Sequence, residues 1–98
     1  MRLAVVNFKS KKNIDDNMNL MQHYISKAVN ENVDFIVFPE LCLTGYQYYL
    51  DGIRTLNKDK LDSFISQLLE ISSKNNIYIC FGSPYFKEDE TYNSAIII

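Results

Sequence analysis

Glu40 is the side chain in this sequence that is best placed to do chemistry. It follows Pro39, which in turn follows the unbroken apolar run Phe35–Phe38. A run of that length and composition predicts a strand buried on both faces, and the proline should end it because proline cannot donate to the ladder. Ligands of open α/β sheets bind at the carboxyl ends of the strands. The sequence therefore predicts a carboxylate at that edge, where it could act as a general base.

The cysteines are the candidate thiol nucleophiles of this sequence. Cys42 lies close to Glu40 in the chain, whereas Cys80 lies in an apolar run between Ile79 and Phe81. Free cysteines most often pack as small hydrophobic side chains, so we expect packing rather than catalysis for both. Their spacing is not that of a metal site, and it favours a reducing compartment in which a disulfide between them is not expected.

The first third of the chain is predicted to form a strand–helix–strand unit. Residues 2–8 contain a short β-prone apolar run, and apolar side chains then recur at helical spacing after Asp15 or Asp16, either of which could cap the helix. A unit of this kind joins parallel neighbouring strands through a right-handed crossover. Both strands then end at the same edge of the sheet, which predicts that Asn7 and Phe8 lie near the candidate base.

The rest of the chain is predicted to be a long loop, a helix and two strands. The loop, residues 41–58, is longer than most α/β connections, and such loops often carry function. A helix capped by Asp59, a strand over residues 77–82, a turn over residues 83–91 and a strand over residues 92–98 complete the pattern. Tyrosines of the loop could line a substrate pocket or pack the loop onto the domain. These candidates for substrate binding are Tyr46, Tyr48 and Tyr49.

Composition and charge exclude several classes of function. The chain has 98 residues, 47% of them hydrophobic, which is enough for one small domain or for part of a larger one. Ten basic and twelve acidic residues give a formal charge of −2 without a basic cluster, so no nucleic-acid partner is expected. No apolar run approaches membrane-spanning length and no signal peptide is recognisable, which predicts a cytoplasmic protein with no membrane partner. No cofactor and no metal are implied.

The last residues bear on how complete the predicted domain is. The chain stops within the apolar run Ala95–Ile98. The predicted strands and helices are too few to cover both faces of a mainly parallel sheet. The last strand would also leave an exposed apolar edge, which proteins normally protect. We therefore expect residues 1–98 to be an incomplete domain. A missing C-terminal portion, or association into a homo-oligomer, would then supply the cover.

Residues 38–46, with the sequence Phe-Pro-Glu-Leu-Cys-Leu-Thr-Gly-Tyr, closely resemble the first catalytic motif of the nitrilase superfamily, the carbon–nitrogen hydrolases. The first strand and helix, the strand ending in Gly82 and the segment Tyr92–Ala95 resemble the N-terminal part of that family in the right order. The resemblance covers essentially the whole chain. It implies an α/β fold, the N-terminal part of an αββα sandwich with β-α-β-α-β-β order. It also implies a hydrolase of non-peptide carbon–nitrogen bonds in small amides, nitriles or ureido compounds.

The same resemblance assigns one catalytic residue. The family uses a Glu-Lys-Cys triad, and Glu40 matches its glutamate, the general base. The family's lysine and cysteine lie further along than Ile98, so no residue here matches either of them. A carboxylate can take the proton of a thiol but cannot replace the nucleophile, so we expect this chain to be inactive by itself. Other lysines stand outside the family's context and are expected to be solvated; they are Lys9, Lys58, Lys60 and Lys87.

Two other interpretations remain open. The chain could be a non-catalytic remnant that acts by assembling with itself or with a partner, which predicts a stable oligomer without hydrolase activity. It could instead be an unrelated small α/β module whose loop at residues 41–58 binds a ligand, which predicts a monomer with a pocket independent of Glu40. The substrate is also open, because amidases, nitrilases, ureido-acid hydrolases and glutaminase domains share this first motif.

Overall fold

The structure, a computed structural model, describes residues 1–46 and 57–98 and shows a mixed α/β fold. The described elements follow the predicted β-α-β-α-β-β order, and no helix among them is both long and apolar enough to cross a membrane. The elements are β1 (Leu3–Val5), α1 (Ile14–Asn30), β2 (Phe35–Val37), α2 (Lys58–Asn75), β3 (Tyr78–Lys87) and β4 (Glu90–Ile97).

The strands form a four-stranded sheet in the order β1-β2-β3-β4. β1 pairs in parallel with β2, which confirms the predicted parallel neighbours. β2 also pairs in parallel with β3. The last ladder bond at this end of β2 runs from the amide of Phe38 to the carbonyl oxygen of Cys80 at 2.8 Å. Pro39 follows and has no N–H to continue the ladder, which explains why the strand ends where the sequence predicts.

The last two strands form a longer hairpin than the sequence predicts. Residues 83–91 were expected to be a turn, but β3 continues to Lys87 and only Glu88 and Asp89 connect it to β4. Glu88 has φ of 55°, the left-handed conformation that tight hairpin turns require. Ile79 and Ile98 exchange both backbone bonds, so alternate positions of β3, including Pro84, need no donor toward β4.

Both helices begin one or two residues before the expected cap. Asn13 caps α1 by accepting a bond from the amide of Asp15, and Asn57 caps α2 by accepting one from the amide of Lys60. The expected caps Asp15, Asp16 and Asp59 lie in the first helical turn instead. There their charge favours the positive end of the helix dipole, so the aspartates mark the right ends but do not cap them.

The helices cover one face of the sheet and leave the other without cover among the described residues. Side chains of the covered face are buried with those of both helices, and the largest of them include Ile36, Ile79, Phe81, Met21 and Leu68. Alternate residues of the strands point the other way and keep much of their apolar surface exposed. They include Leu3 (61%), Val5 (74%), Tyr78 (59%) and Ile97 (63%).

Candidate active site

A sharp turn of the chain presents Glu40 at the carboxyl end of β2. Leu41, the next residue, is fully buried and has φ of 49°, a left-handed conformation that is costly for a leucine. The amide of Gly45 donates to the carbonyl oxygen of Leu41 at 2.7 Å and closes the turn. Burial of the residues after Glu40 therefore anchors the turn, while the side chain of Glu40 itself remains exposed.

Both carboxylate oxygens of Glu40 accept hydrogen bonds. The hydroxyl of Tyr46 donates to Oε2 at 2.6 Å, and the side-chain amide Nδ2 of Asn93 donates to Oε1. These bonds, first that of Tyr46 and then that of Asn93, hold the pKa of Glu40 below its ordinary value, with partial desolvation acting weakly in the opposite direction. The carboxylate is therefore ionised near neutral pH, as a proton acceptor must be, and it is held in one orientation.

The two partners of Glu40 differ in how well the sequence anticipates them. Tyr46 belongs to the same motif and is one of the three tyrosines proposed for substrate binding, but its hydroxyl contacts the carboxylate. Tyr48 and Tyr49 lie outside the described residues. The contact of Asn93 with Glu40 was not predicted. This contact depends on the β3–β4 register, which places Asn93 opposite Pro84 and which the sequence did not predict.

Two clefts border Glu40, one on each side. The first has a volume of about 420 Å³ and is lined by residues 8–12 together with Pro39, Glu40, Gly45 and Tyr46. Phe8 is thus near the carboxylate as predicted, and its ring packs edge-on against Phe38 with 6.1 Å between centroids. The second cleft, of about 360 Å³, lies toward β3 and β4 and includes Gly82 and Asn93 in its lining. A small substrate could reach the carboxylate from either side.

The loop after β1 is tied to the Glu40 turn by a buried asparagine. Asn17 is fully buried, and its Oδ1 accepts from the amide of Lys11 at 2.6 Å. Its Nδ2 donates to the carbonyl oxygens of Lys11 and Leu43, each at 3.0 Å. The hydroxyl of Ser10 also donates to the carbonyl oxygen of Cys42 at 3.2 Å. The wall of the first cleft is therefore held by specific bonds to the same turn that carries Glu40.

Cys42 does not have the surroundings of a nucleophile, whereas Cys80 borders the second cleft together with Glu40. Cys42 is fully buried, and burial raises the pKa of its thiol to about 12, so the thiol stays protonated. Its Sγ lies 3.8 Å from the Sδ of Met21 and 3.8 Å from the carbonyl oxygen of Gly82. Cys80 is half-buried rather than fully buried, and both thiols are free. Packing is the role that these contacts give to Cys42.

Two of the lysines considered for a catalytic role have structural partners. The ammonium of Lys60 lies 2.5 Å from Oδ2 of Asp15, and that of Lys58 lies 4.4 Å from the ring centroid of Phe86. Lys9 borders the first cleft beside Glu40. Over residues 1–46 and 57–98, no group of three or more His, Cys, Asp or Glu side chains is arranged to hold a metal ion.

Comparisons of sequence identify a family and two relatives of the chain. The sequence profile of the family described as carbon-nitrogen hydrolase matches residues 2–98. The chain is 31% identical over 87 residues to a glutamine-dependent NAD(+) synthetase of Acinetobacter baylyi, which covers 88% of the chain and 16% of that protein. It is 24% identical over 106 residues to the probable hydrolase YhcX of Bacillus subtilis, covering 99% of the chain and 20% of that protein. The chain thus spans about a fifth or less of these relatives.

Comparisons of structure agree. An amidase from Nesterenkonia sp. superposes with a TM-score of 0.83 at 20% identity, over 99% of this chain and 37% of the amidase. The glutamine-dependent NAD+ synthetase of Acinetobacter baumannii superposes with a TM-score of 0.82 at 30% identity, over 98% of this chain and 18% of the synthetase. The sheet and its helices therefore have the fold of the N-terminal part of such proteins, and the profile match over residues 2–98 shows that the chain belongs to the carbon–nitrogen hydrolase family.

Proposed function

We propose that this chain provides the general base of a cytoplasmic hydrolase that cleaves non-peptide carbon–nitrogen bonds in small amides, nitriles or ureido compounds. The observation that carries the proposal is the carboxylate of Glu40, ionised, held through both oxygens and open to two clefts at the carboxyl end of β2. The cytoplasmic setting is supported by the two free thiols of Cys42 and Cys80.

The chemistry needs three groups, of which Glu40 is one. A thiol attacks the carbonyl or nitrile carbon only after it loses its proton, and a nearby carboxylate can accept that proton. The carboxyl group can pass this proton to the substrate nitrogen, which leaves as the thioester forms. The regenerated carboxylate can then take a proton from the water that cleaves the thioester and return it to the departing thiolate. An ammonium group stabilises the negative charge that develops on the substrate.

We place the nucleophile and the lysine outside residues 1–98, which form part of one hydrolase domain. Cys42 is protonated and buried, and Lys60 is engaged by Asp15, so neither supports a complete triad within the chain. The uncovered sheet face supports the same view, because a second sheet packed there would bury its apolar side chains. By itself the chain should not turn over substrate.

The test is a substitution of the base in the full-length protein. Glu40→Gln keeps the shape of the side chain but cannot accept a proton, so kcat should fall about 10²–10⁴-fold while the fold is retained. Glu90→Gln is the matched control, since it removes another exposed carboxylate that also accepts a bond from a tyrosine, Tyr92. Near-normal turnover by the Glu40 variant, on amide, nitrile and ureido substrates that the unaltered protein cleaves, would exclude Glu40 as the base.

A non-catalytic assembly role is the second candidate, and the uncovered apolar face of the sheet favours it. A homo-oligomer formed through that face would cover Leu3, Val5, Tyr78 and Ile97. Light scattering after size-exclusion chromatography, together with hydrolysis assays, separates the two candidates. A stable oligomer of this chain without any activity in the full-length protein supports assembly, whereas turnover that depends on Glu40 supports the hydrolase.

A further inference from the structure

The backbone at Glu40 lies directly against β3 at Gly82. A Cβ atom placed on Gly82 would lie 2.2 Å from the backbone nitrogen of Leu41 and 2.8 Å from the carbonyl carbon and the Cα of Glu40. Real Cβ atoms do not approach backbone atoms so closely. Gly82 does not have a positive φ, so the glycine is required by the close approach of two backbones rather than by its conformation.

The turn has little room to move away from β3. Leu41 is fully buried, and its carbonyl oxygen is already bonded to the amide of Gly45. The thiol of Cys42, also buried, lies within weak hydrogen-bond distance of the carbonyl oxygen of Gly82. A side chain at position 82 would therefore displace a packed turn, and the backbone atoms of Glu40 and Leu41 would have to move first.

The same strand also determines where the second partner of Glu40 stands. β4 pairs with β3 so that Ala95 lies opposite Gly82 and Asn93 lies opposite Pro84. The side-chain amide of Asn93 reaches Oε1 of Glu40 from this position. β3 thus sets the distance between the backbone of the base and the amide that orients its carboxylate.

We propose that Gly82 is a positioning residue for Glu40: its lack of a side chain lets the Glu40–Leu41 peptide sit against β3, within reach of Asn93. An alanine at position 82 moves the backbone of Glu40 away from β3 and separates Oε1 from Asn93. The bond from Tyr46 lies within the same turn and moves with it. The catalytic consequence of this displacement rests on the proposed function, but the displacement itself does not.

The first experiment uses the unaltered full-length protein. A strong NOE between the Hα protons of Gly82 and the amide proton of Leu41 is expected, because the two backbones are in contact. Absence of that NOE in the folded protein overturns the proposal without any variant, so the proposal stays testable even if Gly82→Ala does not fold.

The second experiment follows the carboxyl ¹³C signal of Glu40 during a pH titration. Gly82→Ala should raise the pKa of Glu40, because the bond from Asn93 is lost. Asn93→Ala should raise it in the same direction while the NOE between Gly82 and Leu41 remains. Leu68→Ala, which leaves a cavity where α2 packs on the hydrophobic core, should lower stability without changing the pKa of Glu40. A folded Gly82→Ala protein with an unchanged Glu40 titration contradicts the proposal.

The third measurement separates this proposal from the proposed function. Displacement of the base by about 1 Å should reduce kcat about 100-fold with a smaller change in KM. If Gly82→Ala shifts the Glu40 titration but leaves kcat unchanged, Gly82 positions Glu40 and the catalytic assignment of Glu40 fails. If both the titration and kcat are unchanged, the positioning role fails by itself.

Discussion

Among residues 1–46 and 57–98, two glutamates accept a hydrogen bond from a nearby tyrosine, yet only one of them has the surroundings of a site. Glu90 begins β4 beside the hairpin turn and accepts from Tyr92, two residues away on the same exposed strand. Glu40 accepts from Tyr46 and also from Asn93, which is 53 residues further along the chain. The backbone that carries Glu40 is buried against β3, and that of Glu90 is exposed.

The difference shows that a tyrosine–carboxylate bond is weak evidence for function. At Glu90 the bond satisfies two exposed groups that could equally bond to water, and nothing buried depends on it. The position of the Glu40 carboxylate is restricted in three ways. Leu41 has a costly left-handed conformation, Gly82 lies against the backbone of Glu40, and the distant Asn93 donates to its carboxylate. Strained backbone that is held by its surroundings is common at functional sites.

The largest expected effect is on the free energy of unfolding, through the buried hydrogen bonds of Asn17. Asn17→Ala should lower the free energy of unfolding by roughly 2–4 kcal/mol, because it leaves the amide of Lys11 and the carbonyl oxygen of Leu43 buried or half-buried without this partner. Chemical denaturation measures the change. Asn19→Ala, an exposed change on the same helix, should cost far less. Equal costs for the two variants would show that the bonds of Asn17 are not what anchors this region.

A smaller effect is expected on the proton affinity of Glu40. Its pKa lies below the ordinary value, and Tyr46→Phe should raise it more than Asn93→Ala does, since the bond from Tyr46 is the larger cause. Stability contributed by these bonds is therefore present above the pKa of an unfolded glutamate and is lost as pH falls through the lowered pKa. Carboxyl ¹³C titration of the three proteins tests the order. A larger rise for Asn93→Ala would reverse the relative importance of the two partners.

The smallest effect is expected at the hairpin. The bond to Glu90 raises the pKa of Tyr92, because it favours the protonated hydroxyl. Glu90→Gln should return the titration of Tyr92 toward that of an ordinary tyrosine, as followed by absorbance of the phenolate at high pH. The same variant should leave both the unfolding free energy and any hydrolysis unchanged. A clear loss of either would remove the contrast between the two glutamates.

Much of the fold could be predicted from the pattern of apolar residues. The strands around Ile36 and Ile79 and the two helices follow from periodicity and length. The parallel pairing of β1 with β2 follows from the helix that connects them. The hairpin could not be predicted well, since its turn is Glu88–Asp89 and lacks the Asn-Gly or Gly-containing pair that normally marks a tight turn. The helix caps were misplaced for a related reason: asparagine and aspartate are both good caps, so neighbouring candidates compete.

The candidate site was predicted in part. Sequence alone determined that a carboxylate follows a buried strand at its carboxyl end, because the apolar run and Pro39 dictate where that strand ends. Only the tertiary structure decided what surrounds Glu40. The approach of Gly82 and the reach of Asn93 depend on how β3 and β4 pack and pair, and such contacts between distant segments leave no mark in local sequence pattern. Local rules thus placed the carboxylate of Glu40, and long-range packing oriented it.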